Sequence, residues 1–429
     1  MRLRSAAFAL VASLLVVVAI ELVSLGVHRI AFGTGFSYAD AQATRLSVAG
    51  KPPAANVVRA PTEQDENNFQ SLHPYLGYVL DPRRSGNWAV NDFGFLGEPP
   101  PFGDDRPETV SVALLGGSVA ENLGIIAGQR LLEEIAKIPA FRGRRLELSL
   151  LALRGMKQPQ QLIAIDWLLS LGARFDIVIN LDGFNEIVLA GENAMQGTNP
   201  FYPRRWRARV AGLPRAEDTS LLGEIRFLES LRKNAAQRFS NSLARLSITA
   251  NVIQRSTDDL LAERLDGLRA RLNRSLLLGP LSQGYEATGP TRTHADLAAR
   301  SRDLAAHWKR TTVLLAERSR SSDFRYFHFL QPNQWVEGSK IFSEEERALA
   351  RPDDYFHREA AIVGYGELVA AGSQLANEGV EFTDLTTLFQ GMREPLYTDA
   401  CCHLNDRGNA LIAEAIGRSV REGYTRERR

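Results

Sequence analysis

The chain has 429 residues, which is too long for one average domain and predicts a sizeable folded domain with additional elements. Its 51 lysines and arginines almost balance its 50 aspartates and glutamates, so it lacks the basic field that holds nucleic acid without sequence preference. The only cysteines, Cys401 and Cys402, are adjacent, where a disulfide is strained, and no metal-ligand spacing occurs. We therefore expect no nucleic-acid partner, no disulfide framework, no metal and no cofactor.

An apolar segment lies close to the N-terminus. Residues 5–20 carry no charge, and the apolar run resumes after Glu21 to Val27, giving about 23 residues or roughly 35 Å of helix. A small-residue cleavage pattern comes only at 39–41, which favours an uncleaved membrane anchor over a cleaved signal peptide. Glu21 is expected near the outer end of the span, where a carboxylate reaches the headgroups; pairing with another membrane helix is the alternative.

The positive charges that flank this segment are uneven. Arg2 and Arg4 precede it, and only Arg29 follows closely. Since positive charge favours the cytoplasmic side, the N-terminus is expected in the cytoplasm. The sequence thus predicts a single-pass protein of the cytoplasmic membrane whose remaining residues are extracytoplasmic, in the periplasm.

Strand and helix patterns alternate along most of the chain. Residues 31–72 are rich in Ala, Pro, Asn and Gln without clear periodicity, which is typical of a linker or stalk. Short apolar, often β-branched runs follow and are separated by segments with helical spacing. Strands are predicted at 111–115, 146–151, 176–181, 324–330 and 380–383. Such alternation is typical of a parallel sheet with both faces covered.

Four residues follow predicted strands. Ser118 comes after Gly116-Gly117 at a strand-to-helix turn, where backbone N–H groups stabilise negative charge; a capping serine is the alternative. Gly155 follows the second strand, where taken singly it is a loop glycine. Asn185 follows the third strand, either at the ligand-binding edge or as a helix cap. His403 precedes the terminal helix, and together the four match a nucleophile, two oxyanion donors and a base.

At these positions the sequence resembles the SGNH/GDSL hydrolase family, whose four blocks contribute a Ser, a Gly, an Asn and a His in that order. The matching blocks are 116–118, Gly155, 183–185 and 399–403. The resemblance covers roughly residues 73–190 and 324–420. It implies an α/β fold, a flavodoxin-like three-layer α/β/α sandwich with about five parallel strands.

The resemblance also implies acyl transfer. His403 would remove the Ser118 proton as the hydroxyl attacks an ester carbonyl. The oxyanion would be held by the backbone N–H groups of Ser118 and Gly155 and by the Asn185 side chain. Cys401 and Cys402, beside the base, are predicted to be small buried residues rather than a redox switch or metal site.

Two residues depart from the family pattern. Gly117 stands where members often have Asp. Ala400 occupies the usual Asp position three residues before the His, and the carboxylate here is Asp399, four residues before. We predict that Asp399 orients His403; a Ser–His dyad that uses a backbone carbonyl is the alternative.

The predicted organisation has five segments: an anchor at 1–30, a linker at 31–72, the first part of the hydrolase domain at 73–186, an Arg-rich helical insertion at 187–310 and its second part at 311–429. The insertion is either a lid or a solvated hairpin without contact to substrate. The expected function is a serine esterase acting outside the cytoplasmic membrane, by analogy on an acylated carbohydrate, lipid-linked sugar or envelope polymer. The alternatives are an acyltransferase to a sugar and an inactive envelope scaffold protein with the same fold.

Overall fold

A computed structural model describes residues 2–49, 69–85, 88–103, 108–210, 216–278 and 285–425. The chain divides into two compact units. The smaller unit comprises Met1–Val57 with Gly212–Leu281, and the larger comprises Val58–Ala211 with Ser282–Arg429. The helical segment that separates from the larger unit is therefore shorter at both ends than the insertion predicted at 187–310.

The strands and helices are numbered in chain order. The strands are β1 (Gln70–His73), β2 (Gly77–Leu80), β3 (Thr109–Gly116), β4 (Arg145–Ala152), β5 (Ile177–Asp182), β6 (Arg325–Leu330) and β7 (Glu381–Asp384). The α-helices are α1 (Arg2–Phe32), α2 (Tyr38–Val48), α3 (Ser118–Ile135), α4 (Gln160–Ser170), α5 (Phe184–Met195), α6 (Trp206–Val210), α7 (Ala216–Ser240), α8 (Ile248–Leu278), α9 (Tyr285–Thr288), α10 (Leu297–Ser321), α11 (Glu344–Ala350), α12 (Arg358–Gly372) and α13 (Asp406–Thr425).

The larger unit is built on a five-stranded parallel sheet with strand order β4-β3-β5-β6-β7. Helices α3 and α13 pack together, and α10 and α12 pack with α5, which gives the helical layers on the sheet. All eight residues of β3 are buried, as expected for a strand covered on both faces. This confirms the predicted three-layer α/β/α fold, and the strand order is the flavodoxin-like one.

The direction of the strands determines where a site can form. In a sheet of this order, ligands bind outside the carboxyl ends of the strands, at the point where the strand order reverses. Here that point lies between β3 and β5, with β4 on the other side of β3. The segments that follow these three strands contain Ser118, Gly155 and Asn185.

The segment predicted as a linker contains regular structure. Tyr38–Val48 is helix α2, whose first turn is capped because Ser37 Oγ accepts the Asp40 N–H. Residues 70–73 form β1, which pairs antiparallel with β2. The part of the predicted linker at 50–68 lies outside the described residues. Helix α2 has no apolar period, because its buried side chain is that of Arg45, which donates to Asn251.

The smaller unit contains α1, α2, α7 and α8. Helices α7 and α8 form a hairpin whose shared core contains Ile225, Leu228, Leu265, Leu268 and Leu272. Ion pairs between the two helices flank this core, among them a bidentate pair between Arg232 and Asp258. Within α1, Val11–Phe32 is long and apolar enough to cross a membrane, a property that signal sequences share.

Candidate active site

Ser118 is the first residue of α3, directly after β3. Gly116 has φ +146°, and a Cβ there would lie 2.1 Å from the carbonyl oxygen of Leu181 on the neighbouring strand. Only glycine fits, because the chain must turn sharply from strand to helix while touching β5. This turn places the Ser118 hydroxyl at the carboxyl edge of the sheet.

Three of the predicted residues form a chain of contacts. His403 Nε2 lies 2.7 Å from Ser118 Oγ, and His403 Nδ1 forms a short hydrogen bond with Asp399 Oδ2. Ser118 is buried, and the His403 side chain is 21% exposed. Residues that are 285 positions apart in sequence thus meet in the order carboxylate, imidazole, hydroxyl.

The four-residue spacing between Asp399 and His403 allows their side chains to meet, because the Asp399 carboxylate also organises the turn between them. Asp399 Oδ1 accepts the backbone N–H groups of three consecutive residues, Cys401 (2.9 Å), Cys402 (3.0 Å) and His403 (3.2 Å). The other oxygen, Oδ2, is left to face the imidazole. Burial alone would raise the pKa of Asp399, but the hydrogen bonds from His403 and these N–H groups outweigh it and hold the pKa at about 2.

A cluster of side-chain donors that the sequence did not predict binds the backbone of this turn. Three consecutive side chains after β6, those of Asn333–Trp335, donate to three consecutive carbonyl groups of the turn. We call these three side chains the carbonyl clamp. The bonds are Gln334 Nε2 to Asp399 (3.0 Å), Trp335 Nε1 to Ala400 (2.9 Å) and Asn333 Nδ2 to Cys401 (3.2 Å). The polar run after a buried strand was the signal that could have revealed it.

A buried ion pair fixes the segment that leads into the turn. Glu346 accepts the N–H groups of Leu396 (2.7 Å) and Tyr397 (2.9 Å). Its second oxygen lies 2.7 Å from Lys340 Nζ, and both side chains are fully buried. A buried charge is tolerated when it is paired and hydrogen-bonded, so this contact defines one position for residues 396–397.

Asn185, the second residue of α5, lies against the turn that leads into Ser118. Its Nδ2 donates to the carbonyl of Met156 at 2.8 Å. A Cβ on Gly117 would lie 2.1 Å from the same Nδ2. Because this amide approaches so closely, no side chain fits at position 117 without displacing Asn185.

Gly155 is held next to α3, the helix that begins with Ser118. It has φ +76°, a conformation that favours glycine, and a Cβ there would lie 2.6 Å from the Arg204 side chain. Its neighbour Arg154 pairs with Glu121 of α3 (3.1 Å) and donates to Asn122 (2.8 Å). These buried contacts fix the loop after β4 to the helix that begins with Ser118.

Glu186 links the loops after β4 and β5. Its carboxylate accepts the N–H groups of Gly183 (2.8 Å) and Gln158 (3.1 Å) and the side-chain amide of Gln161 (3.2 Å). Burial, together with the charge of Asp182, raises the pKa of Glu186 to about 8. The residue after Asn185 thus fixes the two loops that contain Gly155 and Asn185.

Cys401 and Cys402 are free thiols with their Sγ atoms 2.9 Å apart. Their ligand atoms and those of His403 lie within 4.8 Å of one another. Both ring nitrogens of His403 are already engaged, by Ser118 and Asp399, so the imidazole offers a metal no unoccupied nitrogen in this arrangement. Burial raises the pKa of the Cys402 thiol, which favours its neutral form and fits a small buried residue.

Comparison with known proteins gives little similarity. No protein-family model matches the chain, and no curated protein matches it significantly. Among solved structures, the crystal structure of an acetyl xylan esterase, AlAXEase, has a TM-score of 0.33 and 11% sequence identity, covering 72% of this chain and 100% of that chain. A likeness this weak assigns no activity to the chain.

Proposed function

We propose that the chain is an SGNH-type serine hydrolase that cleaves ester bonds, with Ser118 as nucleophile. The observation that carries this proposal is the 2.7 Å contact between Ser118 Oγ and His403 Nε2, with Asp399 on the other ring nitrogen. A hydroxyl is a weak nucleophile until an adjacent base can take its proton. A third group that fixes the base completes the arrangement.

In the proposed reaction, His403 Nε2 takes the Ser118 proton as Oγ attacks the ester carbonyl. Asp399 stabilises the imidazolium that forms. The oxyanion is held by the N–H groups of Ser118 and Gly155 and by Asn185, whose amide nitrogen has a second hydrogen besides the one donated to Met156. His403 then protonates the leaving alcohol, and water releases the acyl group from Ser118 by the same steps in reverse.

The proposed substrate is an acylated carbohydrate, lipid-linked sugar or envelope polymer, met outside the cytoplasmic membrane, to which α1 anchors the chain. The apolar length of α1 and the charges flanking it support this location. Transfer of the acyl group to a sugar hydroxyl uses the same residues with a different acceptor. That the helical insertion predicted at 187–310 forms a lid over the site also stays a prediction.

Covalent labelling tests the nucleophile. The full chain in detergent is treated with a small fluorophosphonate, beside Ser118→Ala and Ser170→Ala. Ser170 is an exposed serine that bonds only within its own helix end, so its replacement controls for the loss of any hydroxyl. We expect labelling of the wild type and Ser170→Ala but not of Ser118→Ala. Absence of labelling in folded wild type would contradict the proposal and favour the scaffold alternative.

A second assay separates the two acceptors. The purified protein is given a chromogenic acyl ester with and without a high concentration of a sugar acceptor. A hydrolase releases free acid in both cases. An acyltransferase instead releases the chromophore faster when the sugar is present and yields acylated sugar.

A further inference from the structure

The apolar helix α1 has a polar stripe on one face. Glu21, Ser24 and His28 follow the i, i+3, i+7 spacing that places side chains on one side of a helix. Ser24 and His28 are 8% and 5% exposed, whereas Leu22 and Val23, which lie between Glu21 and Ser24 in sequence, are 62% and 66% exposed. The polar face is covered by protein and the apolar face is not.

The polar face of α1 packs against the start of α8 and the turn before it. Glu21 accepts hydrogen bonds from Ser247 Oγ (2.5 Å) and from the backbone N–H groups of Ile248 (2.6 Å) and Thr249 (3.3 Å). Ser24 Oγ lies 2.8 Å from Thr249 Oγ1. Glu21 therefore caps the N-terminus of α8, where a negative charge is stabilised by the helix dipole. Its partner is an amphipathic helix with many charges, not a second membrane helix.

This contact limits which part of α1 can lie in lipid. Beyond Glu21, α1 runs beside the first turns of α8, where Arg255 lies over the Phe32 ring and 3.5 Å from His28. Charged side chains of this kind are costly in hydrocarbon. The uncharged residues 5–20 supply roughly 24 Å of helix, less than the roughly 30 Å of a bilayer core. The membrane boundary then falls close to Glu21, at the level of the turn that caps it.

The turn between α7 and α8, residues 241–247, has the composition expected at such a boundary; we call it the hairpin tip. Leu243 and Leu246 are 82% and 64% exposed, and the exposed Arg245 lies between them. Tyr38, about half exposed, donates its hydroxyl to the Leu246 carbonyl at 2.8 Å. Exposed apolar residues beside a tyrosine and an arginine favour the interface, where rings and guanidinium groups meet the headgroups.

We propose that the hairpin tip is a second membrane contact, in which Leu243 and Leu246 enter the lipid interface beside α1. The inference rests on the proposed anchoring of the chain by α1. The tip then adds apolar surface at the level of Glu21, beside the exposed Leu22 and Val23 of α1. Glu21 is shielded from lipid because both of its carboxylate oxygens accept hydrogen bonds from the turn and the start of α8. The partner is the lipid surface of the membrane that α1 crosses.

Tryptophan reporters in the full chain test the tip. The protein is reconstituted in phosphatidylcholine–phosphatidylglycerol vesicles with lipids brominated on the acyl chains, which quench tryptophan at short range. Leu243→Trp and Leu246→Trp report on the tip. Leu260→Trp is the matched control, because Leu260 is 67% exposed and lies on α8 roughly 18 Å beyond its first residue. Leu15→Trp reports on α1. Wild-type fluorescence, from five native tryptophans, is subtracted.

The expected result is quenching of the reporters at 15, 243 and 246 and none at 260. Quenching at 15, with 243 and 246 quenched no more than 260, would overturn the tip contact and leave the anchor standing. Failure of the protein to float with vesicles, or no quenching at 15, would overturn the anchor and the tip contact with it. Neither result bears on Ser118, whose labelling is measured separately.

Discussion

Asp399 and His403 share two hydrogen bonds. Asp399 Oδ2 is bonded to Nδ1 of the His403 imidazole, and Asp399 Oδ1 accepts the backbone N–H of His403. The same carboxylate therefore sets both the ring and the backbone that supports it. This double contact explains how a carboxylate four residues before the histidine can act where a spacing of three is usual in the family that the chain resembles.

Replacing Asp399 by Asn tests this relationship. The Asn oxygen can still accept the turn N–H groups, so the fold should survive, but its NH₂ group would face Nδ1 and favour the wrong imidazole tautomer. We expect kcat on a chromogenic ester to fall about 10³- to 10⁴-fold with little change in thermal stability. Asp406→Asn, in the first turn of α13, serves as a control. A loss below about threefold would favour the Ser–His dyad.

Asn185→Ala removes the side-chain donor from the oxyanion site. The chain should still fold, with a loss of about 1–3 kcal/mol of stability, because the variant removes the hydrogen bond from Asn185 to the carbonyl of the buried Met156. We expect kcat to fall about 100- to 1000-fold, as for other single oxyanion donors. Steady-state kinetics measure the loss, and an unchanged kcat would remove Asn185 from the oxyanion site.

Gly117→Ala tests the same Asn185 amide by adding a Cβ next to it. The added Cβ would lie 2.1 Å from Asn185 Nδ2, so the amide must move. We expect a loss of kcat approaching that of Asn185→Ala. In the double variant the two losses should not add, because both act on one donor. Additive losses would show that Gly117 acts through another group. Gly117 has φ −91°, so the added Cβ brings no left-handed backbone strain. Gly366→Ala, where a Cβ meets nothing within 4 Å and φ is likewise not positive, controls for the replacement of a glycine alone.

Trp335→Phe removes one donor of the carbonyl clamp and leaves an aromatic ring that can still stack on Tyr355, 5.5 Å away and parallel. Losing this hydrogen bond should cost about 1 kcal/mol of stability. We expect kcat to fall roughly tenfold with a smaller change in KM, because the turn that contains Asp399 loosens.

Trp206→Phe is the matched control for this variant. Trp206 donates its Nε1–H to the carbonyl of Glu286, which is outside the turn. It should lose comparable stability and keep its kcat. Equal kcat losses in the two variants would assign the Trp335 effect to general destabilisation.

The sequence predicted the layers, the strands and the residues that meet at the site, because apolar runs and the ends of parallel strands are local features. It did not predict the carbonyl clamp or the Arg154–Glu121 pair, since each joins polar residues whose proximity depends on the folded sheet. Helix α2 was missed because its buried side chain is an arginine. The position of Glu21 near the headgroups stays a prediction, and its cap on α8, more than 220 residues away, was not predicted because that contact too depends on the fold.

Glu186 gives a prediction for stability against pH. The pKa of its buried carboxyl is about 8 in the folded chain against a reference value of 4.5, so the folded state keeps a proton that the unfolded state releases. This contribution to stability is complete below pH 4.5 and is lost as pH rises towards 8. Lys157 acts in a different window, because burial lowers its pKa from 10.5 to about 7, so its contribution increases with pH only above 7.

Between pH 5 and 7, therefore, the difference in slope between wild type and Glu186→Gln reports Glu186. Burial also lowers the pKa of His307 from 6.5 to about 4, but His307 contributes to the slope of both proteins alike. We expect the free energy of unfolding of the wild type to fall relative to Glu186→Gln by up to about 1 kcal/mol per pH unit. Urea unfolding of the full chain in one detergent at pH 5, 6 and 7 measures the two slopes, with the exposed Glu359→Gln as control. The slope is the informative quantity, because the glutamine NH₂ must face one of the three donors that the carboxylate accepts. Parallel slopes would mean that these donors keep Glu186 ionised despite its burial.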